Sequence, residues 1–124
     1  MAAGKFIIRN TASGIKFDLK ATNGQVIATS QVYKSEKSCN EGVQSVKKNS
    51  LIANIEDLTL EGHVEEKCPK FEIYADKAGD LRFRLKAKNG QIIAVSEAYK
   101  SMAACRNGIE SVQRNASEAE IVKE

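Results

Sequence analysis

The sequence predicts an α+β protein, in which two tandem β(3)-α-β repeats form a single, mainly antiparallel sheet with two helices on one face. Three observations support this fold. Residues 17–50 align with residues 83–116 at one constant offset, and about half of the positions are identical. Apolar residues alternate with period two before each Asn-Gly pair and recur with helical spacing after it. One copy of about 60 residues buries only a marginal core, so the two copies are expected to share one.

Each repeat begins with a three-stranded antiparallel meander. Residues 81–88 read LRFRLKAK, in which apolar and basic residues alternate, as expected for a half-buried strand. Asn89 and Gly90 follow, and both tolerate the positive φ angles of a type I′ turn, so a return strand is predicted after them. The first copy repeats this turn at Asn23 and Gly24. A further strand, joined by a glycine-containing turn, precedes each of these hairpins.

The pattern then changes to that of a helix. Ser35 and Ser101 are suitable N-caps. After each of them, four small or apolar residues recur at i, i+3, i+4 and i+7. These residues are Cys39, Gly42, Val43 and Val46 in the first copy, and Cys105, Gly108, Ile109 and Val112 in the second. A helical glycine costs about 1 kcal/mol relative to alanine, so its recurrence predicts a close approach of helix to sheet. Asn49 and Asn115 are predicted left-handed C-caps.

A short final strand is expected after each helix, in IANIE of the first copy and AEIVK of the second. This strand can pair within its own repeat or with the other repeat, and the residues alone do not choose between the two. The chain is expected to be one structural domain over residues 1–124, with repeat 1 at 5–57, repeat 2 at 70–123 and a connector at 58–69. The repeats should be related by a pseudo-two-fold axis, so the expected state is a monomer that forms an intramolecular pseudo-dimer.

One signature runs through both copies: a strand, an Asn-Gly turn, the pattern A.S..Y.S, and then GI.SV..N. The first copy departs from it only in reading GVQSV. This signature resembles the YegP-like family of small bacterial proteins, and the resemblance covers nearly the whole chain apart from the connector. It implies two β(3)-α-β units that form one sheet and exchange their C-terminal strands. It implies no activity and therefore supplies no catalytic residue.

The composition and charge of the chain limit the kinds of function that we expect for it. Lys and Arg number 19 against 16 acidic residues, and a net charge of +3 is mild for a dedicated nucleic-acid binder. No apolar run approaches the length of a bilayer span, and the first ten residues contain no apolar signal segment. These features predict a cytoplasmic protein without a membrane partner. The 3 cysteines form no disulfide-rich or paired CxxC pattern, which fits reduced thiols.

The motifs of common enzymes are missing from the sequence. It has no glycine-rich phosphate loop, no Ser-His-Asp order and no nucleophile motif, so no catalytic residue and no cofactor is predicted. The segment HVEEKC at 63–68 offers a weak set of metal ligands, and no metal is predicted. Cys39 and Cys105 are expected to pack in the core. Tyr33 and Tyr99 precede the N-caps and are expected to fix the start of each helix.

The uncovered sheet face is the most suggestive functional feature. Its candidate contacts for nucleic acid or another ligand are Lys16, Lys20, Tyr74, Arg82, Arg84, Lys86 and Lys88. A basic sheet with an aromatic side chain is similar in kind to the surfaces that bind single-stranded RNA or DNA. A solvated polar face is the favoured interpretation, because Asp18 and Glu72 dilute the positive charge. The sequence therefore favours a non-enzymatic binding or interaction module with an unknown protein partner, and nucleic-acid binding is the alternative.

Overall fold

The computed structural model describes residues 4–124, which form eight strands and two helices in the order β-β-β-α-β, repeated once. The first repeat comprises β1 (Lys5–Thr11), β2 (Gly14–Lys20), β3 (Val26–Thr29), α1 (Glu36–Ser50) and β4 (Asn54–Asp57). The second repeat comprises β5 (Lys70–Ala75), β6 (Leu81–Lys86), β7 (Ile92–Val95), α2 (Met102–Ala116) and β8 (Glu120–Lys123). The predicted fold class and the order of elements are confirmed.

All eight strands belong to one mixed sheet, in the order β4-β5-β6-β7-β3-β2-β1-β8. Strands within each meander are antiparallel, and the meanders join where β3 pairs with β7 through Thr29 and Val95. Each of the two outermost strands is parallel to its neighbour: β4 pairs with β5, and β8 pairs with β1. The final strand of each repeat therefore lies beside the first strand of the other repeat.

The two helices contact each other on one face of the sheet, and each also contacts strands of the other repeat. A single cluster of buried apolar side chains from both repeats fills the space between helices and sheet. Cys39 and Cys105 are fully buried in it, as predicted, and burial raises the pKa of the Cys105 thiol to about 11. The two repeats therefore share one core.

The start of each helix is fixed by a serine cap and a tyrosine ring. The Ser35 hydroxyl accepts a hydrogen bond from the Ser38 N–H at 3.1 Å, which confirms the predicted N-cap. The Tyr33 ring stacks on Phe17, with centroids 6.2 Å apart, and passes directly beneath Gly42. A Cβ atom at Gly42 would overlap the tyrosine hydroxyl and lie 2.7 Å from Cζ. The predicted close approach is therefore between the helix and this ring, and the second repeat has the same arrangement.

The prediction of type I′ turns at the Asn-Gly pairs is wrong. Gly24 has φ +86°, but no non-glycine residue in the described part of the chain has a positive φ. The Ala21 carbonyl accepts from Gly24 N–H, while Ala21 N–H donates to the Gln25 carbonyl, both at 2.9 Å. These bonds define a three-residue loop in which only the glycine is left-handed. The same bonds recur around Gly90, and a bulge accompanies each loop.

The predicted left-handed C-caps at Asn49 and Asn115 are also wrong. Both residues lie within their helices, and the Asn49 amide donates to the Ser45 carbonyl one turn earlier at 2.9 Å. The helix instead ends at Ser50, and its C-cap, Leu51, has right-handed helical angles. The asparagine amide already has its partner on the preceding turn, and so it does not stop the helix. Among residues 4–124, no helix combines the length and apolar character needed to cross a membrane.

Candidate binding surface

The sheet face opposite the helices is the candidate binding surface, and we call it the outer face. It carries six of the seven predicted contacts: Lys16 and Lys20 on β2, Tyr74 on β5, and Arg82, Arg84 and Lys86 on β6. Lys88 is the exception, because β6 ends at Lys86 and the bulge leads into the three-residue loop. Lys88 lines a concavity beside α1 instead, so its predicted place on the strand face is wrong.

The outer-face cations of the second repeat are already paired with carboxylates. Arg82 Nε lies 2.9 Å from Asp76, and Arg84 Nε lies 2.7 Å from Glu72. Lys86 Nζ lies 3.1 Å from the same Glu72 carboxylate. The Arg84 guanidinium also stacks over the Tyr74 ring, 4.7 Å from its centroid. The predicted aromatic platform is therefore occupied by a neighbouring side chain.

A buried lysine lies at the centre of this cluster. Lys70 is only 5% exposed, and its ammonium lies 2.7 Å from Glu56 and 3.3 Å from Glu72. The parallel pairing of β4 with β5 places Glu56, a residue of the first repeat, directly opposite Glu72. The hydrogen bond with Glu56 raises the pKa of Lys70. Sequence reasoning missed this group, and its only local signal was an acidic residue at an outward position of β5.

The connector covers the cluster from outside. The Glu66 backbone N–H donates to Glu56 Oε1 at 2.9 Å, and His63 Nε2 lies 3.1 Å from Glu56 Oε2. The hydrogen bond from Lys70 and the one from Glu66 lower the pKa of Glu56. His63 therefore lies in contact with the buried Glu56 carboxylate. In the chain from residue 4 onward, no group of three or more His, Cys, Asp or Glu side chains is arranged to hold a metal ion.

Glu72 stays ionised in spite of its burial. Burial alone would raise its pKa, but hydrogen bonds from Arg84, Lys86 and Lys70 outweigh it, and the pKa lies below its usual value. One carboxylate thus receives three cationic groups. The outer face of the second repeat is a closed network of ion pairs with little remaining capacity for another charged ligand.

The first repeat keeps the lysines of this network but lacks its acids. Lys5 and Lys20 occupy the positions of Lys70 and Lys86, and each pair faces across neighbouring antiparallel strands. Aliphatic residues stand in place of both carboxylates, as the alignment of the repeats shows: Ile7 replaces Glu72 and Val122 replaces Glu56.

Three lysines of this face have no counter-ion among the residues that the structure describes. Within residues 4–124, no carboxylate oxygen lies within 4.0 Å of the ammonium of Lys5, Lys16 or Lys20. Asp18 is the acid in the middle of the face, and it is committed to Arg9 at 2.8 Å and to the Thr29 hydroxyl at 2.7 Å. The outer face of the first repeat therefore carries positive charge that no neighbouring carboxylate of the described chain neutralises.

A concavity of about 320 Å³ lies between Lys5, Lys20 and the hairpin loop after β2. Its lining residues are Gly4, Lys5, Ile7, Lys20, Ala21, Thr22 and Gly24. Ile7 is only 7% exposed, so it lies recessed below the two lysines. We call Lys5, Ile7, Lys16 and Lys20 together the first-repeat face. It combines positive charge with an apolar recess.

Comparison with known proteins identifies the domain and its duplication. The family model described as "Domain of unknown function (DUF1508)" matches residues 10–57 and, again, residues 76–122. The UPF0339 protein YegP of Yersinia pestis is 36% identical over 116 residues, covering 93% of this chain and 90% of that protein. A UPF0339 protein of Treponema denticola is 61% identical over 54 residues, covering 44% of this chain and 93% of that protein. That relative is therefore about as long as one repeat.

Two solved structures share the whole fold. The solution NMR structure of YegP from E. coli, a protein of unknown function, matches with a TM-score of 0.82 at 31% identity, covering 100% of this chain and 95% of that one. The solution NMR structure of a UPF0339 protein from Shewanella oneidensis matches with a TM-score of 0.80 at 32% identity, covering 98% of this chain and 92% of that one. The chain therefore belongs to the UPF0339 family of proteins of unknown function, and it carries the DUF1508 domain twice.

Proposed function

We propose that the chain is a non-enzymatic binding module that meets a protein partner through the first-repeat face. The observation that supports this proposal is the contrast between two equivalent surfaces of one sheet. In the second repeat, Lys70 and Lys86 are neutralised by its own Glu72 and by Glu56 of the neighbouring β4, and the connector covers this group. The first repeat leaves the equivalent lysines, Lys5 and Lys20, exposed or half-exposed, without a counter-ion in the described chain.

The energetics favour a partner that brings negative charge. Like charges directly opposite each other on paired strands are destabilising, and Lys5 lies directly opposite Lys20. A hydrogen bond to a charged group contributes about 1.5–3 kcal/mol when the geometry is good. An acidic partner therefore relieves a repulsion and gains hydrogen bonds at the same place. The recess around Ile7 adds apolar contact area.

Nucleic acid is the competing ligand, and it is less favoured. Arg82, Arg84 and Lys86 are held by Asp76 and Glu72, so half of the six predicted cationic contacts are occupied. The three lysines of the first-repeat face remain available as phosphate contacts. About three such contacts to a single strand give a slope near −2 in a plot of the logarithm of the binding constant against the logarithm of the salt concentration. Such binding would be weak at moderate salt.

The test uses a charge-matched pair of variants. One variant carries Lys5→Gln with Lys20→Gln on the outer face, and the control carries Lys37→Gln with Lys48→Gln on the exposed side of α1. Each tagged chain captures proteins from an extract of the host organism, and the captured proteins are identified, purified and bound directly. We expect a specific acidic protein that binds the wild type and the control but not the outer-face variant.

Two results would count against the proposal. If every captured protein binds the outer-face variant and the control equally, the first-repeat face is not the binding surface. Labelled single-stranded RNA and DNA are titrated in parallel at low and moderate salt. Tight binding of nucleic acid that depends on Lys5 and Lys20 would replace the protein partner with the competing ligand.

A further inference from the structure

We propose that the partner inserts a glutamate side chain between Lys5 and Lys20, above Ile7, where it takes the role that Glu72 has in the second repeat. This inference rests on the proposed function and names the chemical group that the first-repeat face recognises. The molecule contains its own template for the interaction, because one repeat shows the lysine pair with a carboxylate and the other shows it without.

The template is defined by two contacts. Glu72 Oε2 lies 3.3 Å from Lys70 Nζ, and Glu72 Oε1 lies 3.1 Å from Lys86 Nζ, so each oxygen faces one ammonium. Lys70 pairs with Lys86 across β5 and β6, and Lys5 pairs with Lys20 across β1 and β2 in the same register. The first repeat therefore places the backbone of its two lysines in the same register as the pair that shares Glu72.

The lining of the recess selects a side-chain carboxylate over a free phosphate. Ile7 and Ala21 contribute aliphatic surface, which suits the methylene groups of a glutamate. Phosphate sites are typically built from backbone N–H groups at a helix N-terminus or from arginines that bind in a bidentate manner. The lining residues of this recess include no arginine and no residue of a helix.

The chain also carries an internal competitor for these lysines. The parallel pairing of β1 with β8 places Glu120 directly opposite Lys5, although the two form no ion pair. The equivalent residue beside Lys70 is Asn54, which is neutral. A charge on Glu120 lowers the local positive potential and weakens binding of another acid. Removal of this charge should therefore strengthen the interaction.

The test uses the full chain and a defined probe, the acetylated and amidated peptide Leu-Glu-Leu-Glu-Leu. Binding is followed by NMR through the Ile7 methyl groups and the side chains of Lys5 and Lys20. The comparison probes are the same peptide with glutamine in place of glutamate, and inorganic phosphate. We expect the glutamate peptide to bind through these three residues, and the other two probes to bind at least about tenfold more weakly, because a charge-assisted contact is lost.

Substitution at Ile7 provides the matched pair. Ile7→Glu places a carboxylate in the site from within, as in the second repeat, and should weaken peptide binding about tenfold or more. Ile7→Gln has the same shape without the charge and should change binding by less than about threefold. Glu120→Gln should tighten binding about two- to threefold. Thermal melting shows that each variant is folded, and Lys5→Gln with Lys20→Gln replaces the Ile7 pair if either Ile7 variant does not fold.

Equal binding of the glutamate and glutamine peptides, stronger binding of phosphate at the same residues, or equal effects of Ile7→Glu and Ile7→Gln would overturn the inference. Its failure can be told apart from failure of the proposed function. If capture of the protein partner still requires Lys5 and Lys20 while Ile7→Glu leaves it unchanged, the surface is correct and the glutamate is wrong. If capture does not require these lysines, both proposals fail.

Discussion

The substitution Gly42→Ala should destabilise the protein, although alanine is the better helix former. Gly42 lies in the middle of α1, where alanine would ordinarily stabilise the helix by about 1 kcal/mol. Its added methyl group would overlap the Tyr33 hydroxyl and lie 2.7 Å from Cζ, well inside van der Waals contact. The two effects have opposite signs, and the question is whether the ring can move away.

The structure holds the Tyr33 ring in place from two sides. Its backbone is bonded to Ile15 in both directions, with the Tyr33 carbonyl accepting at 2.8 Å and its N–H donating at 2.6 Å. Its ring stacks on Phe17 with an interplanar angle of 14°. Overpacking of a site that cannot relax costs about 1–3 kcal/mol, and the upper value applies to a ring fixed in this way. The expected net destabilisation is therefore about 2 kcal/mol, or roughly 6–12 °C in Tm for a chain of this length.

A double-mutant cycle in urea measures the effect directly. In the Tyr33→Ala background the overlap with the tyrosine ring is gone, and the next nearest atom to the new methyl group is Phe17 Cε2, at 3.2 Å. Gly42→Ala should then be neutral or stabilise by up to about 1 kcal/mol, which gives a coupling energy of about 3 kcal/mol. The reasoning is wrong if Gly42→Ala alone is stabilising, or if it costs the same free energy with and without the tyrosine ring.

Three further predictions concern charge and burial. Lys70→Met should lower the free energy of unfolding by roughly 3 kcal/mol, because it leaves the buried Glu56 carboxylate without its lysine partner. Lys5→Met should change it by less than about 0.5 kcal/mol in the same urea titrations. The pKa of Glu72 is lower in the folded state than its usual value near 4.3, so its stabilising contribution is present above that pH and is lost as the pH falls below it. Stability should therefore fall less steeply with acid in Glu72→Gln than in the wild type. Acid unfolding curves that are the same for both proteins would contradict this. Burial raises the pKa of the Cys105 thiol to about 11, so little reactive thiolate forms there at pH 8. A thiol reagent at that pH should label the partly exposed Cys68 in the native protein, and Cys105 only after denaturation. Peptide mass mapping identifies which cysteine is labelled.

Local patterns were sufficient to predict most of the fold. The alternation in residues 81–88 predicted β6, and the helical stripe after Ser35 predicted α1, because strand and helix periods are properties of a few adjacent residues. The turn type and the helix C-caps were predicted incorrectly. Both depend on where one hydrogen bond forms: from Gly24 to Ala21 in the turn, and from Asn49 to the preceding turn of its helix.

The candidate surface was predicted less completely, because charge alone does not reveal pairing. The alternation placed Arg84 and Lys86 on the outer face correctly, but it could not show that Glu72 binds both of them. The contact of Lys70 with Glu56 requires β4 of one repeat to lie beside β5 of the other, and no local pattern records that neighbour. The difference between the two halves of the outer face therefore became visible only when the strands were placed side by side.

The parallel edge pairs have a consequence for the order of the chain. From the end of β4, the 12 residues 58–69 lead back to the start of β5, which lies beside β4. In the same way, β8 lies parallel beside β1, so a connection from the end of β8 to the start of β1 would follow a similar path. A peptide of similar length that joins Glu124 to Lys5, with the backbone opened between residues 58 and 69, should therefore give a circular permutant that reads the second half first and folds to the same shape.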